Sequence, residues 1–333
     1  TQGVSFNTYQ PSLAPEDADN LVANWLQISN LENTTQAGYL RLYDISGKLL
    51  KEELLSLPAN SRQDFPAHRF GDRLAGLATW TPRNSSAKSK LQNIRYLYDN
   101  PDLTNSFASA FQLEGAPGDG EQLSAVLDTS AGSAILEIMN LADDKVKVRL
   151  DLYNANGFSQ DSLVIALSAH SSYHYIADNK LEHRLGLAVI KANTKNSVAA
   201  VAMHYGRYDT GKMKYLYGIQ AKEAQGTTLR GSYNTYLEQQ CHALLLNPTS
   251  ENQTATVEMQ RSDGSNIALT NLARQKSSVT VPAYGALDID ICANDTQNNY
   301  GVVTVTASKP NTIIGTMLRQ GSIDQYRFPT PLR

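Results

Sequence analysis

The residues able to do chemistry in this chain are few and scattered. Cysteine occurs twice, at Cys241 and Cys292, and four of the six histidines fall in one stretch: His170, His174, His183 and His204. A cysteine nucleophile needs a histidine partner. Cys241 and His242 are adjacent, which in a strand sends them to opposite faces. His170 and His174 share strand parity, yet a zinc site needs three or four convergent ligands and no such spacing occurs. Asp288-X-Asp290 and Asp143-Asp144 pair carboxylates without the order of a calcium loop. Gly-X-Ser-X-Gly, His-Glu-X-X-His and glycine-rich phosphate motifs are absent. The sequence assigns no catalytic residue, no metal ligand and no cofactor, and the expectation is a non-enzyme.

Tyrosine is the other chemical excess, with 17 residues against 7 Phe and 2 Trp. Tyr96/Tyr98, Tyr173/Tyr175 and Tyr215/Tyr217 each skip one residue, so each pair shares a sheet face. A ring with a hydroxyl suits sugar stacking or a protein interface. Half-buried strand tyrosines would show the same pattern on β-propensity alone. The six are candidates for an interface or ligand platform.

Composition bounds the partners. The 333 residues carry 29 Lys+Arg against 32 Asp+Glu, a formal charge of −3, with no long basic run to bind nucleic acid. Apolar residues at 41% allow a core. No apolar run approaches the roughly 18 residues of a membrane span. The chain starts at Thr1, which fits a mature form after signal-peptide removal or a chain trimmed by other means. Four Asn-X-Ser/Thr sequons, at Asn33, Asn84, Asn252 and Asn294, matter only where the host glycosylates.

The elements that position these residues come in three copies. Strands ending in Asn recur at Trp25–Asn30, Ile135–Asn140 and His242–Asn247, the Asn residues 110 and 107 apart. Asp44-Ile-Ser-Gly47, Asn154-Ala-Asn-Gly157 and Arg261-Ser-Asp-Gly264 follow at the same separations. Ser61, Ser171 and Ser277, then Gly76, Gly186 and Gly301, continue the order. Tyr96-Leu-Tyr98, Tyr215-Leu-Tyr217 and Tyr326-Arg-Phe328 close it. A leading element appears as Ser5-Phe-Asn-Thr-Tyr9 and Ser232-Tyr-Asn-Thr-Tyr236, with Leu127-Asp-Thr-Ser130 its weaker middle version. A unit of about 110 residues can hold its own core, unlike a solenoid repeat.

Within a unit the pattern is that of strands. Lys145–Leu152 alternates charged and aliphatic residues, the period of a half-buried strand. Equal parity puts Leu40, Leu42, Val257 and Met259 inward. The polar-X-X-Gly motifs are hairpin turns in which Gly47, Gly157 and Gly264 supply a positive φ. Asn30, Asn140 and Asn247 read as structural turn residues, tolerant of the left-handed region and bonding locally. Short strands at 8 to 12 residue spacing indicate antiparallel sandwiches. The expected fold is all-β, with three tandem immunoglobulin-like domains: 1–117, 118–225 and 226–333.

The third unit departs from its siblings. Ser61 to Gly76 and Ser171 to Gly186 are 15 residues apart, but Ser277 to Gly301 is 24. This locates an insertion in 281–300, which contains Cys292. Two cysteines are compatible with two buried thiols, but a Cys241–Cys292 disulfide pinning the insertion is the economical reading. It would close about 50 residues, worth roughly 3 to 4 kcal/mol.

Through these strand-Asn, strand-turn-Gly and Gly-strand landmarks the chain resembles the tandem immunoglobulin-like β-sandwich modules of bacterial secreted and surface proteins. The resemblance implies an extracellular architectural or adhesive role and brings no catalytic residues. The expected function is a structural or adhesion subunit of a surface assembly or stalk, extracellular or periplasmic, with protein partners that include further copies. The alternative is a carbohydrate-binding protein using the tyrosine faces or the inserted loop.

Overall fold

A computed structural model describes residues 1–8, 21–67, 74–98, 107–118, 120–130, 132–182, 184–207, 213–269, 278–321 and 327–333. Tyr9, His183, Ser277 and Tyr326 lie outside the described residues. The fold is all-β and its sheets are antiparallel.

The first set of strands is β1 (Gln2–Asn7), β2 (Leu21–Asn30), β3 (Gln36–Asp44), β4 (Leu49–Leu57), β5 (Arg62–Pro66), β6 (Ala75–Pro82), β7 (Ser89–Tyr98) and β8 (Phe107–Glu114). They pair as β1-β6-β3-β4 and β5-β2-β7-β8. The second set is β9 (Gln122–Asp128), β10 (Gly132–Asn140), β11 (Val146–Asn154), β12 (Ser159–Leu167), β13 (Ser172–Ile176), β14 (Leu185–Ala192), β15 (Val198–Arg207) and β16 (Met213–Gln220). A one-turn helix α1 (Asp178–Leu181) follows β13. The pairing is again first-sixth-third-fourth and fifth-second-seventh-eighth.

The third set repeats this order with β17 (Thr228–Asn234), β18 (Gln240–Leu246), β19 (Gln253–Arg261), β22 (Ala286–Asp290), β23 (Tyr300–Ala307), β24 (Ile314–Gln320) and β25 (Arg327–Pro331). Its fourth strand is split into β20 (Asn266–Ile267) and β21 (Ser278–Val281), both paired with β19. Among the described residues no sheet mixes strands from two sets.

Alternation decides which side chains fill the space between the two sheets of a set. Val146, Val148, Leu150 and Leu152 of β11 are buried against Leu136 and Ile138 of β10, while Lys147 and Arg149 point to solvent. Val257 and Met259 join the third core, and Leu40 and Leu42 the first. Burial of each such aliphatic contributes about 1.5 to 3 kcal/mol.

The turn glycines stand at φ +90, +84 and +84, as their spacing predicted. Three expectations need correction. Asn30, Asn140 and Asn247 do not hold the left-handed conformation; Asn60, His170 and Tyr284 do, at φ 51, 55 and 52. Tyr96-Leu-Tyr98 lies in β7, whereas Tyr215-Leu-Tyr217 lies in β16, the eighth strand of its set. The register makes Phe111 of β8 the counterpart of Tyr217, since each faces the same position on its seventh strand. Lastly, the carbonyls of Ser61, Ser171 and Gly285 accept the N–H of Asn30, Asn140 and Asn247. Gly285 therefore takes the place expected of Ser277, although the Ser61 and Ser171 hydroxyls also donate to the Pro58 and Ser168 carbonyls. The extra residues of the third set then fall mainly between Gly264 and Gly285, where its fourth strand is split, rather than in 281–300.

Candidate functional sites: clamps, a staple and two joints

Each set is closed by the same two polar clamps. The amide of Asn30 donates to the carbonyls of Thr34, Leu57 and Pro58 at 2.8, 3.1 and 2.8 Å, and its Oδ1 accepts the N–H of Glu32. Asn140 treats Asp144, Leu167, Ser168 and Ala142 identically. Asn247 does the same with Glu251, Val281, Pro282 and Thr249. All three are buried, where a carbonyl left without a donor would cost about 1 to 3 kcal/mol. The second clamp was missed. Thr8, Thr129 and Thr235 each donate through Oγ1 to a carbonyl (Leu74, Arg184, Asn299) and accept that residue's N–H. Its signal was the recurring polar-Thr pair Asn7-Thr8, Asp128-Thr129 and Asn234-Thr235.

Cys241 and Cys292 form a disulfide across 51 residues of sequence, their Cα atoms 5.1 Å apart. Register identifies its counterpart in the second set, where Ala134 holds the place of Cys241. There the N–H of Ala134 donates to Asp178 Oδ1 at 2.8 Å, and Asp178 holds the place of Cys292. One corner of the fold is thus closed by a hydrogen bond in one set and a covalent bond in another.

The six tyrosines do not share a surface. Tyr215 and Tyr217 are buried, 3% and 1% exposed, and burial raises the Tyr217 hydroxyl pKa. Tyr175 is buried with its hydroxyl donating to Asp161 Oδ2 at 2.8 Å, and Tyr173 packs partly buried on the same core. Tyr96 and Tyr98 remain half-buried, their rings 6.3 Å apart and each 6.3 Å from exposed Phe107. Parity put each pair on one face correctly, but it could not say what covers that face.

The sets meet at two joints of one design. At the first, Tyr43 stacks on His170 at 4.3 Å and the carbonyl of Ile45 accepts the N–H of Ser172. At the second, Tyr153 stacks on Tyr284 at 4.7 Å and the carbonyl of Ala155 accepts the N–H of Ala286. A Cβ on Gly47 would strike the Ala169 carbonyl, and one on Gly157 the Ala283 carbonyl. The glycines thus serve two ends, the positive φ of the turn and the close approach of the next set.

Beside the first joint lies a buried ion pair. Arg95 donates to both carboxylate oxygens of Glu137, at 3.0 and 3.5 Å, and to Ser5 Oγ at 2.6 Å. The two charged side chains are 1% and 0% exposed. Burial alone would raise the Glu137 pKa, but the Arg95 guanidinium, with His174 and the hydrogen bonds from Arg95 and Ser5, holds the carboxyl below the usual range.

The second joint puts His204 where the first has Arg95, and Leu244 where it has Glu137. His204 stacks on Tyr217 at 4.6 Å and its Nε2 accepts the N–H of Asp128 at 3.1 Å. Burial pushes its pKa down to about 4, against the pull of the Asp128 carboxylate. Arg327 of the third set reaches Asp128 at 3.5 Å and lies over the Tyr215 ring.

Of the remaining histidines, His174 stands opposite Glu137 in register. His170 meets Asp143 at 3.0 Å, and His242 meets Asp288 at 2.8 Å, which raises the His242 pKa. Among the described residues no three His, Cys, Asp or Glu side chains converge as a metal site, and no helix is long and apolar enough to cross a membrane. A groove of about 670 Å³ opens where residues of all three sets converge, including Glu114, Lys222, Thr228 and Arg333. Comparison with known families, with curated proteins and with solved structures finds no match.

Proposed function

We propose that the chain is a non-enzymatic extracellular structural or adhesion protein, a subunit of a surface assembly or stalk. The reading takes the three sets as tandem immunoglobulin-like domains, 1–117, 118–225 and 226–333. The single observation that carries it is the joint made twice over, with buried side chains between consecutive sets. Such joints suit a rigid particle that holds a spacing better than they suit freely swivelling modules. Second-to-fifth and third-to-sixth pairing supports the immunoglobulin comparison, because B pairs E and C pairs F in that fold. The first, fourth and seventh strands depart from it, each joining the opposite sheet. The disulfide fits an oxidising environment outside the cytoplasm.

Small-angle scattering of the purified protein, with binding to intact cell surfaces, tests the proposal. A rigid particle that binds cells or forms defined assemblies is expected. A flexible, non-binding monomer would sink it.

A second reading, carbohydrate binding, is favoured by the cluster of Tyr96, Tyr98 and Phe107 at the first set. A glycan array answers it, with Tyr96→Ala and Tyr98→Ala as controls; no signal on any glycan removes it.

A further inference from the structure

The joint has two halves, a turn that protrudes from one set and a loop on the next set that receives it. Two turns and two loops are consumed inside the chain. Among the described residues one of each meets no other set. The unused turn is Arg261–Gly264 of the third set. Gly264 keeps the φ of +84 seen at Gly157, yet a Cβ there would meet nothing within 4 Å. The unused loop holds Ala59, Asn60 and Arg62 of the first set, the counterparts of Ala169, His170 and Ser172. Asn60 keeps the left-handed φ of His170 and Tyr284.

We propose that a second copy of this chain docks head to tail through these halves, the third-set turn of one molecule seating on the first-set loop of the next. The proposal rests on the assembly reading above and specifies its interface. The occupant follows from continuity with a joint the chain already builds twice, and from complementarity of the leftover halves. Gln260 replaces Tyr43 and Tyr153, and Asn60 replaces the ring it would meet, so an amide faces an amide. Docking would bring exposed Asp263 on the turn to exposed Arg62 on the loop, which within the chain pairs with Asp64 at 3.0 Å.

The arginine beside the first joint is also repeated. Arg319 donates to Ser232 Oγ at 2.6 Å, as Arg95 does to Ser5. Phe328 lies under it at 5.7 Å as Phe111 lies under Arg95 at 6.0 Å. Arg95 goes on to Glu137, whereas Arg319 has no acidic partner among the described residues. On the receiving face the place of Glu137 is held by buried Gln27, and directly opposite it in register stands exposed Asp64, whose partner within the chain is Arg62.

An interface between two different patches is heterologous, so repetition gives an open filament or a closed ring. Polar residues at the ring positions keep the two halves soluble while apart. They also make this joint weaker than the internal ones, so it forms at high local concentration.

Sedimentation velocity of the full chain from micromolar to millimolar concentration tests the interface. Reversible, elongated oligomers are expected. Restoring the rings with Asn60→His and Gln260→Tyr together should tighten association about tenfold, the worth of one aromatic pair. Arg62→Glu should weaken it by about the same factor, and adding Asp263→Arg to that variant should recover it. All these positions are exposed, so each variant's melting curve should overlay that of the native chain. Monomers throughout, for both the native and the ring-restored chains, would overturn the proposal, as would association indifferent to every substitution. A monomer that still binds cell surfaces would remove this interface while leaving the adhesive reading intact.

Discussion

The two internal joints share a backbone and differ in what fills it. Both seat a positive-φ glycine against the next set's carbonyl, and both stack a strand-end tyrosine on a left-handed residue. Beside the first joint lies a fully buried Arg95–Glu137 pair; the second puts His204 and Leu244 in those places. Turn geometry therefore fixes how sets meet, while the side chains beside it are interchangeable solutions to burial. A buried ion pair is costly to break and adds little over an apolar filling. The contrast between the joints makes that distinction measurable.

Replacing Glu137 by Leu, the second joint's own choice, should have the largest effect. It strands the Arg95 cation and should cost about 3 to 5 kcal/mol. Pairing it with Arg95→Met should restore most of that, because no charge is then left buried without a partner. Urea denaturation of single and double variants decides this; equal losses in both would refute the interchange.

Acid should separate the joints next. His204 titrates at about 4 folded against 6.5 unfolded, so its contribution is complete above pH 6.5 and drains as pH falls towards 4. Between pH 7 and pH 5 this amounts to about 2 kcal/mol. Glu137 is depressed below its ordinary 4.5, so its contribution is present above that value and is lost only below it. Stability curves at pH 7 and pH 5 should therefore show a loss that His204→Phe flattens and that the double variant at the first joint leaves unchanged.

The clamps should behave alike where the joints differ. Asn30→Ala, Asn140→Ala and Asn247→Ala each strand buried carbonyls and should cost about 2 kcal/mol apiece. A much smaller loss at one position would show that its clamp is redundant. The smallest effect belongs to the stacked rings. Tyr153→Leu should lose about 1 kcal/mol, and Tyr43→Leu a similar amount, read as a shift in thermal midpoint.

Much of this architecture was legible in the sequence. Alternation at Lys145–Leu152, the polar-X-X-Gly turns and the spacing of Asn30, Asn140 and Asn247 depend on local geometry, which residue type reports directly. The reading failed where an equivalent position carries a different residue. Gly285 stands where Ser61 and Ser171 stand, its N–H donating to the Pro282 carbonyl as the serine hydroxyls donate to those of Pro58 and Ser168, and Phe111 stands where Tyr217 does. The eighth strand of the first set, Phe107–Glu114, also went unread. Its small residues Ala108, Ser109 and Ala110 give a weak alternation.

The candidate sites divide in the same way. The disulfide was readable from two cysteines and the irregular third unit, even though the extra residues proved to lie upstream of Cys292. The tyrosine platform was not, because burial of Tyr215 and Tyr217 comes from neighbouring sets far away in sequence.

By itself, then, the sequence determined an all-β chain with one pattern written three times, since strand period and turn chemistry are set by residues within a few positions of each other. It also carried the pairing of Cys241 with Cys292. The tertiary structure alone decided that consecutive sets lock together, and that Arg95 meets Glu137 across 42 residues of sequence. It alone showed that the turn of the third set and the loop of the first set meet no other set among the described residues. Those facts depend on which outward faces are brought into contact, and no local pattern encodes what will cover a face.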